Sequence, residues 1–173
     1  TALWTSGFTP PVYGDYGGAR TNYFITGLDG NTDVQYRLKC RMVNGYNGAI
    51  SVVIRPNNVS TANNYGYQYL QVENTTASAA RGTTSGFSGP YMGALGEIGQ
   101  LGLLLYAKSG YVRTTIFEKS ESIATTTVSY LNMMAQSWNN TADNITSLVI
   151  LATSINGLGV GSHIELWRPV LRE

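Results

Sequence analysis

Residues 33–56 read DVQYRLKCRMVNGYNGAISVVIRP, and this stretch decides the fold. Val34, Tyr36, Leu38, Cys40 and Met42 fall on one side of a pleat, and Gln35, Arg37, Lys39 and Arg41 fall on the other. A period of two over ten residues marks a strand with one face in a core and one in water. Asn44-Gly45-Tyr46-Asn47-Gly48 supplies residues that tolerate positive φ, as a hairpin connection needs. The chain returns with Ile50, Val52 and Ile54 on one face, and Pro56, which has no N–H for a ladder, closes the run. The expectation is a central β-hairpin.

Outward from it, further strands are expected at Thr21–Leu28, Tyr65–Glu73, Ile123–Tyr130, Ile145–Ala152 and from His163 onward. Asp29-Gly30-Asn31 reads as a tight turn. Leu101–Lys108 and Tyr111–Lys119 form a second hairpin about Ser109-Gly110. LNMMAQSW (131–138) fits either a helical turn or a bulged strand. Residues 74–90, NTTASAARGTTSGFSGP, lack any period and read as a long loop that touches something. Nine or ten strands with frequent turn signals and no long helix give an all-β chain, an antiparallel two-sheet sandwich of jelly-roll type. Residues 21–173 form one such domain. Residues 1–20 are expected as an ordered arm, because Trp4, Phe8, Tyr13 and Tyr16 need burial.

Composition agrees. Charged residues are 12% of the chain, and the polar surface falls to Thr (19), Ser (14) and Asn (14). The net charge of +1 lacks the basic footprint of a nucleic-acid binder. No apolar window is long enough for a membrane-spanning helix. Cys40 has no intrachain partner and sits at a core position, where it reads as a small buried hydrophobe.

No residue pattern supplies catalysis, a cofactor or a metal. His163 is the sole histidine and reads as a surface residue facing outward with Glu165. No G-x-S-x-G elbow exists. Gly157-Leu-Gly-Val-Gly161 precedes a strand, so backbone permissiveness explains it better than a nucleotide. Asp29 to Asp33 lacks the spacing of a calcium loop. The residues that invite a binding role are Tyr65, Tyr67 and Tyr69 on one strand face. They read as core, as a subunit interface or as a sugar platform. Trp138 and Trp167 stand in similarly polar surroundings. Arg37, Lys39 and Arg41 form a basic stripe that would be a solvated, edge-protecting face or a docking surface.

Three segments, ITGLDGNTDVQYRLKCRMVNG (25–45), SVVIRPNNVSTANNYGYQYL (51–70) and WNNTADNITSLVILATSINGLGVGSHIELWR (138–168), carry a resemblance together. Leu28-Asp29-Gly30 leading to Tyr36-Arg37-Leu38, the run from Arg55 to Tyr65, Ile145-Thr146-Ser147, and Gly161-Ser162-x-Ile-x-Leu-Trp167 are its marks. The chain resembles β-sandwich virion proteins of tailed bacteriophages, which occur as head-decoration proteins and as tail-fibre or baseplate modules. It departs from that pattern at Pro56, where Asn is common, and at Trp167, where Tyr is usual. The resemblance implies a non-enzymatic virion part assembled in the host cytoplasm, a homo-oligomer expected to be a trimer that contacts other capsid or tail proteins. Its contacts would come from the arm (Trp4, Phe8), the basic stripe and the aromatic positions Tyr65, Tyr67, Tyr69 and Trp167. The alternative is a carbohydrate-binding module for a host-surface glycan.

Overall fold

The computed structural model describes residues 12–15, 18–124 and 127–168. In chain order the elements are β1 (Val12–Asp15), β2 (Asn22–Thr26), α1 (Gly30–Asp33), β3 (Gln35–Val43), β4 (Ile50–Pro56), β5 (Tyr65–Glu73), β6 (Thr76–Thr84), β7 (Phe87–Met92), β8 (Ile98–Tyr106), β9 (Arg113–Ala124), β10 (Thr127–Trp138), β11 (Ser147–Ala152) and β12 (His163–Trp167). They form two antiparallel sheets. One has the order β1-β12-β3-β8-β9-β10-β5-β6 and the other β2-β11-β4-β7.

Eight of these strands make a jelly roll. Taken in sequence, β1, β2, β3, β4, β7, β8, β11 and β12 alternate in the manner of two Greek keys, with β1-β12-β3-β8 facing β2-β11-β4-β7. The remaining four strands are two insertions, the β5–β6 hairpin between β4 and β7 and the β9–β10 hairpin between β8 and β11. Both dock on the β8 side, so one sheet is twice as wide as the other.

The period read in β3 is real: its even-numbered residues from Tyr36 to Met42 are buried and the odd ones from Arg37 to Arg41 exposed. Its pairing differs from the expectation. β3 bonds β12 and β8, whereas β4 bonds β11 and β7, so the two strands lie in opposite sheets. Residues 44–48 are a corner between sheets, and none of them has positive φ. Asn44 is buried and holds the corner, its Nδ2 donating to the carbonyls of Gly48 (2.8 Å) and Met92 (3.3 Å) and its Oδ1 accepting from Tyr46 N (2.8 Å). An inward-facing alternation on both runs suits a corner as well as a hairpin, because either brings two apolar faces into one core.

Other expectations are corrected similarly. Asp29-Gly30-Asn31 opens a single helical turn, with Asp29 as its cap accepting from the N–H groups of Asn31 and Thr32. Residues 74–90 are no loop, since they contain β6 and most of β7. The strand expected over 123–130 straddles the β9–β10 hairpin, and 131–138 is strand, with register shifts near Val128. The hairpin expected about Ser109-Gly110 is present as β8–β9, with Gly110 at φ +81. β11 is an inner strand, with Leu148, Val149 and Ile150 all buried.

In the loop at Gly157 to Gly161, only Gly161 uses a positive φ. A Cβ on Gly159 would lie 2.9 Å from Gly45 Cα, so two loops meet there backbone to backbone. Cys40 is buried on the core face, and burial pushes its thiol far above the usual range.

Candidate interaction surface

The outer face of the wide sheet is set by registers that run across all its strands. From β12 to β6 one row reads Trp167, Arg37, Leu104, Ile116, Ala135, Gln68 and Arg81. The next reads Glu165, Lys39, Gly102, Glu118, Met133, Leu70 and Ala79. Over β3 and β12 this face is charged. Over β8, β9, β10 and β5 it is mostly apolar, with the exposed Glu118 and Gln68 among the apolar side chains: Leu70, Val72, Leu104, Ile116, Val128, Leu131 and Met133 are each between 39% and 68% exposed. Together they present on the order of 600 Å² of apolar surface, at the upper end of the largest patches ordinary monomers show.

The charged margin is organised. Register places Arg41 beside His163, Lys39 beside Glu165 and Arg37 beside Trp167. Glu165 accepts from Trp167 Nε1 (3.0 Å) and lies 2.8 Å from His163 Nε2. The His163 and Trp167 contacts hold its carboxyl below the usual range. The Lys39 ammonium sits 6.0 Å from the centroid of the Trp167 ring. β3 is an inner strand, so the stripe does not protect an edge as the sequence suggested; it borders the apolar patch. His163 faces outward with Glu165, as expected.

The inner face of the inserted hairpins is different. Tyr65 is wholly buried, stacked on Trp138 (6.0 Å, 8°) and edge-on to Phe87 (5.2 Å). Its hydroxyl donates to Val59 O (2.9 Å). Tyr65 and Trp138 are therefore core residues and offer no surface for a sugar or a partner. Tyr67 and Tyr69 are half-buried, stack on each other (5.9 Å, 11°) and line a polar cleft of about 290 Å³ with Gln71, Tyr130 and Asn132. The register explains the packing: Tyr67 lies opposite Gly82, where a Cβ would come within 2.8 Å of its hydroxyl.

Three polar side chains on this inner face were not singled out in the sequence. Gln136 Oε1 accepts from Ser88 N (2.8 Å), Lys119 Nζ donates to Gly89 O (3.0 Å) and Glu121 Oε1 accepts from Tyr91 N (2.6 Å). β7 is an edge strand, and these side chains satisfy its backbone where a neighbouring strand would. Burial pushes the Glu121 carboxyl up to about 7, against the lowering pull of Tyr91 N–H and Lys119. The same burial lowers Lys119.

Trp4 and Phe8 lie outside the described residues. Val12–Asp15, from the expected arm, pairs with β12 of the same chain. Among the described residues no cluster of His, Cys, Asp or Glu could share a metal ion, and no helix is long and apolar enough to cross a membrane.

No protein-family model matches the chain, and no curated protein does. Among solved structures it is similar to a human SPRY domain, with 15% identity, a TM-score of 0.31 and coverage of 93% of this chain and 96% of that one. It is also similar to the CspB protease of Clostridium perfringens, with 10% identity, a TM-score of 0.16 and coverage of 90% of this chain and 26% of that one. Likeness at this level carries no argument about function, and the sandwich stands on its own strand registers.

Proposed function

We propose that this chain is a non-catalytic structural module that assembles with further copies of itself through the outer face of the wide sheet. By the resemblance described above, it would serve as a head-decoration, tail-fibre or baseplate part of a tailed bacteriophage, mounted on other virion proteins. The apolar patch carries the reading. All seven of its residues lie on the adjacent strands β8, β9, β10 and β5, flanked by Arg37, Lys39 and Arg41 on β3, as an interface core is flanked by a polar rim. Its extent approaches the roughly 800 Å² per partner that a specific interface buries. A trimer is the state the resemblance implies.

The test is the mass of the chain in solution. Ile116→Lys with Leu131→Lys places two charges in the patch while leaving the core untouched, so folding stability should move by less than about 1 kcal/mol. The reading expects an oligomer for the unaltered chain and loss of the face contact, read as a lower mass, for the variant. An unaltered chain that is a monomer, or an oligomer whose mass the variant leaves unchanged, rejects it.

A second reading has its own observation. Asn132 Oδ1 is buried without a partner among the described residues, beside the Tyr67–Tyr69 stack. Aromatic rings with amide groups suit a neutral sugar. Glycan-array binding that disappears in Tyr67→Ala supports this reading, and an array with no signal removes it.

A further inference from the structure

Each sheet of this molecule ends in edges, and they are treated unequally. β7 is capped by Gln136, Lys119 and Glu121. β1 and β2 are short, at four and five residues. β6 has nine residues, TASAARGTT, and among the described residues it ends the wide sheet with no strand beyond it. It carries one charge, no proline and no bulge, and all but its last residue are exposed. Those are the devices by which proteins blunt an edge, and β6 lacks nearly all of them.

Which of its backbone groups are open follows from the hairpin. Asn74 N donates to Ser129 O, so even-numbered positions of β5 turn toward β10 and odd ones toward β6. Glu73 pairs with Thr76, Gln71 with Ser78, Tyr69 with Ala80 and Tyr67 with Gly82. Alternation then leaves the N–H and C=O groups of Ala77, Ala79, Arg81 and Thr83 pointing away from the sheet.

We infer that β6 pairs with β6 of a second copy of this chain, antiparallel across a two-fold axis at Ala80. In that register Ala77 meets Thr83, and Ala79 meets Arg81, each pair exchanging both backbone bonds. All four open residues on each copy are then used. Centring the axis on Arg81 would oppose two guanidinium groups, and centring it on Ala79 would leave Thr83 unpaired. Ala77, Ala79, Ala80 and Thr83 are short and each Arg81 faces an alanine, which suits the spacing of about 4.8 Å that paired strands require. A two-fold contact is self-complementary, as β6 is here. The pairing also makes the outer face continuous from β5 of one copy to β5 of the other, joining the two apolar patches. The inference stands on backbone geometry and does not depend on the patch being an assembly surface.

The experiment uses the full chain with Cys40→Ala, so that any added thiol is unique. Ala80 faces its own copy across the axis in a non-bonded pair, whose Cα separation of about 4.5 Å is within disulfide range. Ala80→Cys should therefore oxidise to a covalent dimer, and Ala77→Cys, which meets Thr83, should do so at least about tenfold more slowly. In the thiol-free chain, Ala79→Pro removes an N–H that the monomer does not use, and it should weaken dimerisation by at least about tenfold at unchanged thermal stability. Equal oxidation of the two cysteine variants overturns the register. A chain that stays monomeric, or an oligomer whose mass is unchanged by Ala79→Pro, overturns the edge contact. A trimer dissociated by Ile116→Lys with Leu131→Lys but indifferent to Ala79→Pro overturns the edge contact and leaves the face reading standing.

Discussion

At the scale of single residues, the buried charges on β9 explain a feature that hydrophobic patterning does not anticipate. Lys119 and Glu121 alternate inward with Phe117, at positions where core hydrophobes would be expected. They bond the backbone of β7 on the side where, among the described residues, it has no neighbouring strand. Glu121 has a consequence for pH. Its carboxyl faces Tyr91 N–H, Lys119 and, more distantly, the carboxylates of Glu97 and Glu73, and burial moves it from an ordinary 4.5 to about 7. Between those values the unfolded chain binds fewer protons at this group than the folded chain does, so stability falls as pH rises. The contribution is fully present below 4.5 and lost by the time pH has risen through about 7. Glu121→Gln keeps an oxygen for Tyr91 N–H and removes the charge. Thermal melts should show the variant gaining on the order of 2 kcal/mol above pH 7 and little below pH 4.5. A gain independent of pH contradicts this account of Glu121.

Elements show where sequence reading succeeded and where it met its limits. β3, β4, β5, β8 and β11 were legible because each buries one or both faces, so burial writes its period into the side chains. Partners were less legible. The run of residues 44–48 has hairpin composition, yet Asn44 ties it into a corner, and a pleat does not say which sheet completes it. β6 was invisible because both its faces are exposed, so burial writes no period into it, and only Gly82, packed against Tyr67, is held small by a neighbour. The apolar patch was hidden for the opposite reason. Leu131, Met133 and Met134 are apolar on both parities, which left 131–138 ambiguous between helix and strand. Of the proposed contact residues, Arg37, Lys39, Arg41 and Trp167 do share one face, whereas Tyr65 belongs to the core. The corner gives an element-scale prediction. Gly159→Ala puts a methyl 2.9 Å from Gly45 Cα and N and 3.0 Å from Val43 O, backbone atoms that cannot move aside as a side chain could. Chemical denaturation should report a loss of about 2–3 kcal/mol, while Gly102→Ala, with open space around it, should cost less than about 1 kcal/mol. Equal losses would show that the loops are not tightly apposed.

At the scale of the whole molecule, the two insertions convert a symmetrical jelly roll into a sandwich with one oversized sheet. The extension gives the inner side a polar cleft and the outer side an apolar field larger than a solitary domain needs. An isolated domain would be expected to carry polar side chains there. Assembly is the economical account of that surface. Mass measurements report whether copies associate. Footprinting reports where, and so tests the central claim most directly. Hydroxyl-radical labelling of the unaltered chain, read by mass spectrometry at dilute and at assembling concentrations, would compare Leu104, Ile116 and Met133 with the exposed Leu95 and Ile155, which lie off this face. The account predicts that the first three become protected on assembly while Leu95 and Ile155 label equally in both states. Unchanged labelling of Ile116 and Met133 in an assembled sample would contradict it.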